Sequence, residues 1–142
     1  NGTCIVHEVF SEKKLVQLKV RHPKALAIAH PECEPHVLRH ADFIGSTSKL
    51  LQFVQENPAK EFIVVTESGI LHQMEKMAPD KILIPAPPEE NCECNECPHM
   101  KKNTLERLYL CMRDLRPEIT IPPEIMPGAL KALQRMFELT DG

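Results

Sequence analysis

No segment of this 142-residue chain is rich in lysine and arginine, and its 17 basic residues are outnumbered by 20 acidic ones. A formal net charge of -3 offers no basic field to nucleic acid. Long hydrophobic runs are missing too: the apolar stretches last a few residues, against roughly 20 for a membrane-crossing helix. No secretory signal is expected, since Asn1 opens a polar stretch without a basic flank and apolar core. Nucleic acid, membrane and secretion are therefore disfavoured, and a cytoplasmic location is expected. Tryptophan is absent, tyrosine occurs once, and no repeat or low-complexity stretch is visible. The chain starts at Asn1 rather than Met, which raises the expectation of a processed product or an excised piece of something longer.

What is present is ordinary globular composition, 42% hydrophobic, at a length that suits one domain of about 100–150 residues. Ser11 can cap a helix carrying Leu15, Val16, Leu18 and Val20 before the stop at Pro23. Ala25–Ala29, Ala41–Ile44, Phe62–Val65 and Lys81–Ile84 read as strands, the last stopped by Pro85. Helical spacing separates them: a short helix from Pro35, one carrying Leu50, Leu51, Phe53 and Val54, and one carrying Ile70, Leu71, Met74 and Met77. Alternation of this kind predicts an α/β fold, a three-layer α/β/α sandwich with a short, mainly parallel sheet of about four strands. A helix from about 103 to 113, an extended stretch from Pro117 to Pro127 and a last amphipathic helix complete the chain.

In open α/β sheets, ligands bind beyond the carboxyl ends of the strands. His30 and Glu32 follow the first strand, Ser46 and Thr47 the second, Thr66 and Glu67 the third. Cys92, Cys94 and Cys97 trail the fourth. An imidazole beside a carboxylate can transfer protons or bind a polar substrate; the competing reading is a histidine hydrogen-bonded at a strand end. Ser46 and Thr47 sit where a helix starts, so they either bind an anion there or simply cap the helix. Cys33 reads as a packed thiol. Cys-x-Cys-x-x-Cys is tight enough for thiolate ligands but matches no standard zinc pattern. Cys4, with His7 three residues on, is the natural distant partner.

Together these residues resemble quinolinate synthase, the iron–sulfur enzyme of NAD biosynthesis. The matching stretches are Gly2-Thr-Cys4-Ile-Val-His7, His30-Pro-Glu-Cys33, Ala41 to Ser48, Phe62 to Gly69, Cys92 to Met100 and Asn103-Thr-Leu105. The resemblance implies condensation of iminoaspartate with dihydroxyacetone phosphate to quinolinate, with a [4Fe-4S] cluster as Lewis acid. It implies Cys4 and Cys97 as two cluster ligands, Glu32 as the proton shuttle, and His30 and Glu32 as catalytic and substrate-site residues. It further implies Ser46 and Thr47 as the anion-binding pair, with His7 and Met100 lining the cavity. Cys92 and Cys94 match variable upstream thiols.

Family members are about twice this length, with three similar α/β domains. By resemblance, residues 1–88 are the last of those domains, and residues 89–142 are a cysteine-bearing loop with a C-terminal helical return segment. The third cysteine ligand then lies outside this chain. The expected partners are the remaining N-terminal domains, and the isolated chain is expected to be inactive and to self-associate through apolar surface left uncovered. Two other readings stand beside this one: a self-contained metal-binding or thiol-redox module using Cys92, Cys94 and Cys97, and a structural domain that docks a partner.

Overall fold

The computed structural model describes residues 4–88 and 95–140, in two compact units, Asn1–Lys102 and Asn103–Gly142. In the first, a single turn, α1 (Ile5–Glu8), leads to α2 (Glu12–Arg21), whose N-cap Ser11 accepts the Lys14 N–H at 3.4 Å. That bond satisfies one of the donors that every helix start leaves open. Then come β1 (Leu26–Ala29), α3 (Pro35–Leu38), β2 (Phe43–Ile44) and α4 (Thr47–Glu56). β3 (Glu61–Val65), α5 (Ile70–Met77) and β4 (Ile82–Pro85) follow.

The four strands pair in the order β2-β1-β3-β4, and every neighbouring pair is parallel. Leu26 faces Phe62 and Ala29 faces Val65 across the central pair. Strand side chains alternate between faces, and here both faces are covered. Ala27, Ala29, Ile63 and Val65 pack with Leu15, Leu18 and Val37 from α2 and α3. Ile28, Phe62 and Val64 pack on the other side with Leu50, Val54 and Met74 from α4 and α5. Double coverage is why β1 and β3 read as continuous apolar runs rather than alternating ones. The α/β sandwich expected from the sequence is the fold observed.

Details differ where local chemistry outweighs pattern. Leu15 and Leu18 are buried, but Val16 and Val20 lie on the exposed side of α2. Pro85 does not stop the fourth strand; it is its last residue, opposite Val64. The Ile82 N–H donates to the Lys60 carbonyl and the Ala86 N–H to the Val64 carbonyl, so these alternate residues face inward. Pro85 falls on the outward-facing phase, where its missing N–H leaves no ladder bond unmade.

The second unit holds α6 (Leu105–Asp114), capped by the Thr104 hydroxyl, which accepts the Arg107 N–H at 3.2 Å. Tyr109 lies within this helix. α7 spans Met126–Thr140. It begins one residue before Pro127, where an extended backbone was expected, because proline is well suited to a helix's first turn. Compactness divides the chain after Lys102, so residues 95–102 lie in the first unit. No helix among the described residues is long and apolar enough to cross a membrane.

Candidate functional site

Because the strands are parallel, their carboxyl ends share one end of the sheet, and the polar residues that follow them meet there. His30 follows β1 and its N–H donates to the Val65 carbonyl at 3.2 Å, which aligns the ends of β1 and β3. The chain then turns, with the Cys33 N–H donating to the His30 carbonyl at 3.0 Å and the Glu32 N–H to His30 Nδ1 at 3.3 Å. This turn aims Glu32 at α1, where His7 Nδ1 lies 3.2 Å from Glu32 Oε2. The other ring nitrogen, Nε2, is 3.1 Å from Thr66 Oγ1, just past β3. The His7 ring also stacks on His30, with centroids 4.4 Å apart and planes 9° from parallel.

Burial, and then the neighbouring His30, hold the pKa of His7 below its ordinary value, against an opposing pull from Glu32. Burial disfavours the charged ring, and a second imidazole disfavours it further. A neutral ring has one N–H to give. An ionised carboxylate accepts only, so the proton belongs on Nδ1 facing Glu32, and Nε2 accepts the Thr66 hydroxyl. The result is a directed chain, Thr66 to His7 to Glu32, ending on a half-exposed carboxylate.

Cys4 occupies the N-cap position of α1 and is half-buried. Its sulfur, a His7 nitrogen and a Glu32 oxygen all lie within 4.8 Å of one another. A thiolate, an imidazole and a carboxylate make a mixed donor set in which the thiolate is the group that suits soft metals. Cys97 is tied to the same end of the sheet: its N–H donates to Glu67 Oε1 at 3.2 Å, and its sulfur accepts the Met100 N–H at 3.5 Å. Cys4, Cys33, Cys97 and Cys111 are all free thiols.

The structure therefore brings His7, His30, Glu32 and Cys4 together, with Cys97 attached through Glu67. Ser46 and Thr47 stand at the β2–α4 junction, placed by the Gly45 N–H donating to the Ala29 carbonyl at 3.1 Å. Ser46 holds the N-cap position of α4, but its side chain makes no capping hydrogen bond, and both residues are exposed. Met100 is exposed at the start of a short 3-10 turn, Met100–Lys102. Cys92 and Cys94 lie outside the described residues. Thr66 and Glu67 could be placed at a strand end from the sequence, but their partners could not. Asn95, buried in the loop before Cys97, carried no signal at all, being one polar residue among several.

Cys33 is the packed thiol the sequence suggests. It is buried, its S–H donates to the Val65 carbonyl at 3.5 Å, and burial pushes its pKa from an ordinary 9.0 up to about 12. In the folded chain Cys33 is expected to resist iodoacetamide at neutral pH while the exposed Cys111 reacts, as read by mass spectrometry of the labelled peptides. Equal labelling of the two would contradict this. A raised folded pKa also means that this group's contribution to stability is complete below pH 9 and is lost as pH climbs toward 12.

Comparison with known proteins adds a second line of information. Residues 1–138 match the family model described as Quinolinate synthetase A protein (NadA). The chain is 63% identical over 139 residues to a quinolinate synthase of Nostoc punctiforme, covering 98% of this chain and 43% of that protein. It is 62% identical over 140 residues to that of Trichormus variabilis, with 43% of the relative covered. Against that of Chloroherpeton thalassium the identity is 59% over 140 residues, with 44% covered. The chain thus spans less than half the length of the curated relatives it matches.

Proposed function

The chain belongs to the quinolinate synthase family, and on that premise we propose that it supplies part of the site where iminoaspartate and dihydroxyacetone phosphate condense to quinolinate, with loss of phosphate and water. The observation that carries this reading is the meeting of His7, His30 and Glu32 beside the Cys4 thiol at the carboxyl end of the sheet. The remainder of the relatives' length implies the rest of the enzyme as the partner of this chain.

The donors fit a metal group of the expected kind. Cys4 and Cys97 are free, both belong to the same unit, and the Cys97 sulfur already accepts a backbone N–H, as cluster thiolates do. They would hold two corners of a [4Fe-4S] cluster, whose third cysteine lies outside this chain. When bound, that cluster supplies an open iron as a Lewis acid that polarises a substrate oxygen or carboxylate.

The other roles fall to the chain's own groups. Glu32 moves protons during isomerisation and dehydration, and the His7 N–H fixes its Oε2. His30 binds substrate from a position locked by its stack on His7. Ser46 and Thr47 present free hydroxyls and the positive end of α4 to a phosphate or carboxylate. His7 and Met100 line the cavity. The self-contained metal or thiol-redox module is the weaker reading, since the family match extends across both units rather than over the cysteine loop alone.

The test is iron and sulfide analysis of the complete enzyme carrying Cys4→Ser or Cys97→Ser, with quinolinate measured in parallel. Each variant is expected to lose both cluster iron and product, and the isolated chain, reconstituted anaerobically, is expected to form none. Quinolinate from the isolated chain, or a full iron complement in both variants, would overturn the assignment.

A further inference from the structure

Glu67 makes bonds in two directions. Its Oε1 accepts the N–H of Cys97 at 3.2 Å, and its Oε2 accepts the N–H of Gly69 at 2.7 Å. One carboxylate thus bridges the β3–α5 turn and the loop that carries Cys97. Next to it, the Ser68 N–H donates to the Asn95 carbonyl at 2.9 Å. Asn95 is buried, and its side-chain amide donates to the Val6 carbonyl at 3.4 Å, inside the helix that Cys4 opens. A continuous series of bonds therefore runs from the Cys97 backbone through the end of β3 to α1.

Gly69 fits the same arrangement. A Cβ added there would come within 2.6 Å of Glu67 Oε2, so the carboxylate occupies the space that the missing side chain leaves. The Gly69 backbone is right-handed helical, with φ -61° and ψ -22°, which alanine adopts freely. What glycine provides is room for Glu67 rather than conformational freedom.

We propose that Glu67 and Asn95 are positioning residues: they clasp the Cys97 loop to β3 and α1 and so hold Cys97 in fixed register with Cys4. A preorganised ligand loop has less ordering entropy to lose on binding. Bonds to a charged acceptor are the stronger kind, which suits Glu67 as the main tether. The functional consequence rests on the reading of Cys97 as a metal ligand; the clasp itself does not.

The experiment is amide hydrogen exchange in the complete enzyme before and after chelation of its iron, for the parent and the variants E67A, E67Q, N95A and G69A. In the chelated protein, E67A is expected to speed exchange at the Cys97 amide by about tenfold, while the β3 amides of Phe62–Val65 keep their protection. E67Q retains a neutral oxygen acceptor and should lie between parent and E67A. G69A should reproduce the E67A effect by displacing the carboxylate, without altering Glu67 itself. N95A should loosen the same loop, and iron should rebind more slowly to all four variants. If E67A also exposes the β3 amides, that variant has unfolded, and E67Q and G69A decide the matter. Parent-like exchange at Cys97 in folded E67Q and G69A would overturn the clasp. Failure of the ligand reading looks different: Cys97→Ser would keep its iron while the exchange effects of E67Q and G69A persisted.

Discussion

A complete quinolinate synthase carrying Glu32→Gln is expected to make quinolinate on the order of 10²–10⁴-fold more slowly, the range typical for loss of a positioned acid–base group. Glutamine matches the shape of glutamate and still offers an oxygen to the Nδ1–H of His7, so the Thr66–His7 arrangement should survive. What it cannot do is take up and return a proton. The loss should therefore fall on kcat, with KM nearly unchanged, because uniform binding is left intact. Iron content should also match the parent, which separates this variant from the cysteine replacements. Steady-state quinolinate formation is the measurement. A kcat within a few-fold of the parent would remove Glu32 from the chemistry and leave it as a binding residue only.

The second large effect is structural. Phe62→Ala is expected to destabilise the chain by about 3–5 kcal/mol, a large part of the 5–15 kcal/mol that a typical domain has in total. Phe62 is fully buried at the start of β3, on the face covered by α4 and α5. Its ring meets Phe53 edge-on, with centroids 6.3 Å apart at 82°, and Phe53 in turn stacks on Phe43 at 4.1 Å. Truncation would remove the base of that aromatic series and leave a cavity between two helices and the sheet. Urea unfolding followed by circular dichroism reads the change as a lower midpoint at constant slope. A loss below about 1 kcal/mol would mean that the site collapses around the cavity and that this face is packed less tightly than its burial implies.

Much of this was legible in the sequence because the signals were redundant. The strands are short apolar runs, and the helices between them turn apolar residues inward, Val37 from α3, Leu50 and Val54 from α4 and Met74 from α5, so period and punctuation agreed. The alternation then determined that strand ends would cluster, which is enough to associate His30 and Glu32 with residues after β3. What the sequence could not supply was the pairing. The bond from His7 to Thr66 joins residues 59 positions apart, and the bond from Asn95 to Val6 joins residues 89 apart. Neither residue type is unusual at its position, so nothing distinguishes a clasping asparagine from a solvated one. Val16 and Val20 illustrate the complementary difficulty. They look like core residues by type, but the helix turns them away from Leu15 and Leu18, which take the inner face.

The outward phase of Pro85 bears on how this sheet meets other chains. An edge strand normally offers a row of unsatisfied N–H and C=O groups, a template on which a foreign strand can add. At one edge here, β2 is only two residues long. At the other, the outward-facing positions of β4 are Leu83 and Pro85, and only Leu83 has an N–H to give. A foreign strand would find almost no ladder to extend on either side. The unit is thus guarded against edge-to-edge fusion by the same proline that looked, in the sequence, like a full stop. Any chain that docks on this unit is left its side-chain surfaces, where shape and charge discriminate between partners as a bare backbone ladder does not.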